Sequence, residues 1–189
     1  NMVTYSTGLI STYLSGVGEV LGLFMDHASN DLYFTNKKVN LVRKVSSGKV
    51  VTTVAGTGAA SSDSTAANGD GAQATAATLW YPAGLWVSSS TGNVYFADSN
   101  NYRVRVVAAG SGIISSVAGT GISGFSGDGE QATAATVGAP MNVIGRPSTD
   151  ETLLYVSDFE NYRIRVLSEF APSVMPTFST LALVPGLSV

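Results

Sequence analysis

At 189 residues, with 44% of them apolar and 12% charged, the chain can build one ordinary packed domain and is too apolar to stay disordered. Its net charge of −3 comes with no basic stripe of the kind a nucleic-acid binder needs. The absence of cysteine excludes disulfides, thiolate metal sites and cysteine nucleophiles, and no apolar run reaches the roughly 18 residues of a membrane-spanning helix. Charged residues fall well below the roughly 25% of ordinary soluble domains, so Ser, Thr, Asn and Gly must keep the surface wet, or an assembly must cover it.

The first segment, GLISTYLSGVG at residues 8–18, reads as a degenerate copy of GKVVTTVAGTG at 48–58 and so as a spare outer strand. Residues 19–58 make a first repeated unit around GLFMDHASNDLYFTN and LVRKV. Residues 59–121 hold a connection, then a second unit: GLWVSSSTGNVYFAD, YRVRVV and IISSVAG. Residues 122–169 repeat the connection and open a third unit, which ends in LLYVSDFENYRIRVL without its VAGTG strand. Residues 170–189 form a tail containing Pro and Ser that resembles no repeat.

Within each unit, short runs rich in Val, Ile, Tyr and Phe stand between Gly, Asn, Asp and Ser turn signals, which is the chemistry of strands. In YRVRVV the arginines alternate with valines, giving one polar and one apolar face. About four strands per unit, repeated along the chain, is the pattern of β-propeller blades. The connections carry GTG, GDG and QATAAT, and the Ala content of the last predicts a short helical turn.

Together, VAGTGISGFSGDGEQATAAT, GNVYFADSNNYRVRVV and GIISSVAGTG resemble the NHL-repeat β-propeller family, over nearly the whole chain to about Glu169. The resemblance implies an all-β fold of radial four-stranded antiparallel blades, six of which commonly close a ring. The first unit departs from the pattern at Asn36, Lys37 and Lys38, where the family has an Asp-led turn.

Three blades fall short of the roughly four to eight that close a propeller. The unpaired third unit and the spare first strand therefore predict assembly by strand donation, with another copy of the chain as partner. Leu9, Ile10, Thr12, Tyr13 and Leu14 would form the donated strand, and the third-unit strand bearing Ile164 and Val166 would receive it. Phe178, Leu181 and Leu183 in the tail offer a second such strand, for the chain's own third blade or a neighbour's. A homopolymeric fibre is the expected form. A two-chain six-bladed ring and a piece of a longer chain are the alternatives.

Candidate chemistry is sparse. Asp98 and Asp158 read as turn-forming side chains that accept backbone N–H groups. Arg103, Arg105, Arg163 and Arg165 read as braces between blades or as solvent-facing groups. Asp70 and Asp128, the latter with Glu130, are candidates for calcium, set against the simpler reading of tight Gly-enabled turns. His27 is the single histidine, so a metal lyase site built on several histidines has too few ligands. Trp80, Tyr81 and Trp86 surround Pro82 and read as packing between blades, or else as a platform for carbohydrate. The expected protein is non-enzymatic and cofactor-free, a structural or interaction module. Low charge, high Ser/Thr and the tail, together with family habit, place it outside the cell.

Overall fold

Twelve strands form three four-stranded antiparallel sheets in the computed structural model, which describes residues 11–146, 153–168 and the backbone of 177–180. The first sheet contains β1 (Val20–Asp26), β2 (Asp31–Asn36), β3 (Leu41–Val45) and β4 (Val51–Ala55). The second contains β5 (Pro82–Val87), β6 (Val94–Asp98), β7 (Arg103–Val107) and β8 (Ile114–Ala118). β9 (Pro140–Gly145), β10 (Leu153–Asp158), β11 (Arg163–Ser168) and β12 (Thr177–Thr180) make the third. These are three propeller blades in chain order. Among the described residues no helix is long and apolar enough to cross a membrane.

The repeats superimpose in register. Phe24 pairs with Tyr33 in blade 1, Trp86 with Tyr95 in blade 2, and Ile144 with Tyr155 in blade 3. Side chains alternate across a strand, so each blade has a leading face carrying these residues and a trailing face carrying their neighbours. Tyr33 and Val42 on blade 1 share a core with Leu85, Val94, Phe96 and Val107 on the trailing face of blade 2. Trp86, Tyr95 and Val104 repeat the arrangement against Val143, Leu154, Val156 and Leu167 of blade 3.

The connections fold as their composition predicts. Ala74–Ala76 and Ala132–Ala134, inside the two QATAAT segments, are 3-10 turns. Each is pinned to the preceding blade, where Gly56 N–H donates to the Ala74 carbonyl and Gly119 N–H to the Ala132 carbonyl, both at 2.9 Å. The glycines of the VAGTG phrase are needed here. Gly56 and Gly119 have φ of +99° and +90°, and a Cβ at either would strike the carbonyl oxygen of Asn40 or Tyr102. Ala at Gly119 is expected to cost at least about 1–2 kcal/mol from the left-handed backbone alone. Thermal unfolding would read this as a drop of a few degrees in Tm.

At one edge an open alternative is decided, and at the other an expectation is corrected. The outer position of blade 3 is filled by the chain's own tail, with Phe178 opposite Leu167 and Ser179 opposite Val166. A β-prone strand tethered a few residues away meets that edge at an effective concentration that a separate chain does not match. Val166 is buried and lies within the stretch paired with β12, and Ile164, just before that stretch, projects from the leading face. Leu181 and Leu183 lie outside the described residues. At the other end, residues 11–18 form no strand. Gly16 and Gly18 adopt φ of +72° and +81°, and the Asn36 amide holds the Val17 carbonyl at 2.7 Å. Thr12, Tyr13 and Leu14 instead lie over the trailing face of blade 1 near Val20 and Leu23, with the Tyr13 ring beneath the Lys49 ammonium at 5.3 Å. Leu9 and Ile10 lie outside the described residues.

Candidate functional site

The phrase NYR followed by Val or Ile, written twice, builds a clamp. Tyr102 and Tyr162 take left-handed backbone at φ of +48° and +54°, turning the chain so that the next strand brings an arginine under the preceding aspartate. In blade 2, the fully buried Asp98 accepts the Trp80 N–H at 2.8 Å, the Asn101 amide at 2.8 Å and the Arg105 guanidinium at 3.1 Å. The other end of Arg105 donates to Asp70 at 2.7 Å. In blade 3, Asp158 accepts the Gly138 N–H and the Asn161 amide, and Arg165 joins it at 3.5 Å to Asp128 at 2.7 Å. Burial pushes the Asp98 carboxyl upward, and the Arg105 charge and the three donors draw it back only in part.

Asp70 and Asp128, offered above for a cation, therefore face a guanidinium. Each ties the connection ahead of its blade to that blade's third strand. Among the described residues no group of three or more His, Cys, Asp or Glu is placed to hold a metal ion. Blade 1 has the matching Arg43 but Asn36 in the aspartate position, which is where the sequence departs from its own repeat. The reciprocal Arg–Asp link was not readable from the sequence, because the partners stand some thirty-five residues apart on different elements.

The aromatic trio does not form one platform. Trp86 lies in the core between blades 2 and 3, stacked on Tyr95 at 5.5 Å. Tyr81 lies beneath the Lys37 ammonium at 5.6 Å, and Trp80 is 37% exposed.

Two concave spaces among the described residues bear on function. The inner strands β1, β5 and β9 enclose about 560 Å³, lined by Leu21, Leu23, Phe24, Trp86, Met141 and Ile144, with Asn142 as the one polar side chain on the wall. This is the position of the propeller's central channel, open on one side. A second space of about 370 Å³ lies between the hairpins of blades 1 and 2 and is lined by Asp26, Ser29, Asp31, Tyr33, Lys44 and Thr53, among others. Sequence reading missed it. Its polar groups come from the four strands of blade 1 and a turn, and only their register brings them together.

The groups of the second space are held firmly. Asp26 accepts the Ser29 hydroxyl at 2.6 Å and the Ala28 N–H at 3.0 Å. Partial burial pushes its carboxyl up, but these donors outweigh that and hold it below the usual range. Lys44 donates to Asp31 at 2.8 Å and sits over the Tyr33 ring at 5.8 Å. The Asp31 bond holds its ammonium above the usual lysine range. The neighbouring turn carries His27.

No family model and no curated protein matches the chain. Solved structures do. An auxiliary nutrient binding protein from Bacteroides thetaiotaomicron is 17% identical, with a TM-score of 0.59, over 85% of this chain and 35% of that one. A catalytically inactive virginiamycin B lyase from Staphylococcus aureus, with quinupristin, is 15% identical, with a TM-score of 0.52, over 90% of this chain and 44% of that one. The nidogen/laminin complex contributes a chain 14% identical, with a TM-score of 0.54, over 84% of this chain and 47% of that one. The likeness is one of β-propeller fold, and this chain spans less than half the length of each.

Proposed function

We propose that the chain is a non-enzymatic binding module of the β-propeller type, acting outside the cell, which takes a neutral saccharide in the polar space between the hairpins of blades 1 and 2. The observation that carries this reading is the convergence of two carboxylates, an ammonium, two hydroxyls and a tyrosine ring on one concavity. Saccharide hydroxyls both donate and accept, and fixed charges with an aromatic edge offer partners for both. Asp26 is held deprotonated and Lys44 protonated, each displaced away from neutrality. Such groups bind and orient, whereas a general acid or base works best with its titration near the working pH. The similarity in fold to a nutrient binding protein from Bacteroides supports the same class of role.

A glycan array followed by calorimetry tests the proposal. Lys44→Met and Asp31→Asn are expected to abolish binding while changing stability by less than about 1 kcal/mol, since the pair is partly exposed. Binding is also expected to stay flat from roughly pH 5 to 9, because Asp26 titrates below that window and Lys44 above it. Saccharide capture unaffected by both substitutions would move the site elsewhere, with the central channel next to be tested.

A further inference from the structure

Blade-to-blade packing is used twice inside the chain, and among the described residues each half of it has no blade against it at one end. On the leading face of blade 3, Ile144, Tyr155 and Ile164 hold the places that Trp86, Tyr95 and Val104 hold in blade 2. There the residues are buried against the next blade, whereas Ile144 is 55% and Ile164 is 60% exposed. On the trailing face of blade 1, Leu23 and Met25 hold the places of Leu85 and Val87. Those two are buried against blade 1, whereas Leu23 is 61% and Met25 is 40% exposed. The two exposed faces are thus the plug and the socket of an interface that the fold already makes.

We propose that two copies of this chain close one ring, with blade 3 of each packed on blade 1 of the other. The occupant is a second copy because the missing surface on either side is this chain's own repeat. Up to 90% of the chain lies on 44% of the lyase and 84% on 47% of the nidogen/laminin chain, so a second copy supplies a share of the same size. Two equal interfaces related by a two-fold axis close the assembly and leave no free face. The channel lined by Leu23, Trp86 and Ile144 would then be walled on all sides. No strand changes hands, because β12 already completes blade 3. Residues 12–17 lie across part of the socket, leaving about 320 Å³ beside Leu23 and Leu32. Docking requires this segment to swing aside, and the left-handed Gly16 and Gly18 supply its hinge.

Sedimentation of the purified 189-residue chain across the micromolar range is expected to give twice the 19.4 kDa of one chain. In the internal interface Trp86 lies on Gly145, whose counterpart in blade 1 is Met25, so Ile144 should meet Met25 of the second copy. Ile144→Asp and Met25→Lys are each expected to give single chains with unchanged circular dichroism. Their equimolar mixture should regain the two-chain mass, because one interface becomes Asp against Lys and the other is wild type. Ile164→Asp with Leu23→Lys gives a second pair should either variant fold poorly. A wild-type chain that stays single, a ladder of larger masses, or a mixture that fails to recombine would each overturn the proposal. It does not rest on the saccharide reading, since a two-chain particle that binds no sugar leaves it intact and a monomer that binds sugar refutes it alone.

Discussion

Arg105→Ala is expected to destabilise the fold by about 3–5 kcal/mol, the usual cost of breaking a buried ion pair from one side. The arginine is fully buried and bridges Asp98 to Asp70, so its removal leaves a carboxylate inside blade 2 with no counter-charge. It also cuts the link between β7 and the connection that leads into the blade. The loss should be smaller at low pH. Asp98 is already pushed upward by burial, and without Arg105 it is pushed further. A carboxyl whose folded value lies above its unfolded one takes up a proton on folding, so stability falls as the pH rises through that interval. Denaturant unfolding at two pH values would check both the size and the sign. Arg43→Ala provides the control. Arg43 is only half-buried, and its own blade carries Asn36 instead of aspartate, so its loss should cost under about 1 kcal/mol. Equal losses at the two sites would show that the clamp contributes nothing special.

The second large effect is Trp86→Ala, expected to cost about 3–5 kcal/mol through lost burial and the cavity left behind. Trp86 belongs to the core shared by blades 2 and 3, stacks on Tyr95 at 5.5 Å with the planes at 34°, and lies directly on the backbone of Gly145. Any side chain at Gly145 would occupy the space of the indole ring, which explains a glycine at the end of β9. Trp80→Ala should shift stability by no more than about 1 kcal/mol, because that ring is 37% exposed and its N–H bond to Asp98 is made by the backbone. Thermal unfolding of the two variants side by side separates the aromatics that hold blades together from the one that faces solvent. If Trp80→Ala unfolds the protein while Trp86→Ala does not, the assignment of the inter-blade core is wrong.

Much of the blade architecture was legible because its signals are local. Tyr95 and Phe96, Arg103 and Arg105, and the Ala-rich 3-10 turns sit where period-two alternation and turn residues predict them. Arg105 and Arg165 were expected to brace neighbouring blades or face solvent, and instead each ties its own blade to the connection ahead of it. That Asp70 and Asp128 are the partners depends on how the connection crosses the blade. The polar space around Lys44 was not foreseen, since Asp26, Asp31 and Thr53 converge only through strand pairing. The two ends come out differently: the tail takes one of the two places offered for it, and the first segment does not form the expected strand. TFST matches no repeat and yet pairs with β11, because an open ladder accepts any β-prone segment within reach. Residues 11–18 resemble a repeat strand, yet the described structure leaves them off the sheet, with two glycines in left-handed backbone.

By itself, the sequence determined the all-β class, the three repeated blades, the glycine-dependent turns and the alternation of arginine with valine along the third strands. Those follow from side-chain alternation, backbone preference and repetition, which act over a few residues at a time. Only the tertiary structure decided which carboxylate meets which arginine, which tryptophan is core, and that the tail rather than the first segment completes blade 3. Only it showed that Leu23 and Met25 at one end, and Ile144 and Ile164 at the other, are exposed where their repeat counterparts are buried. Such pairings join groups far apart in the chain, and their energy depends on burial and register, which exist only once the sheets have packed.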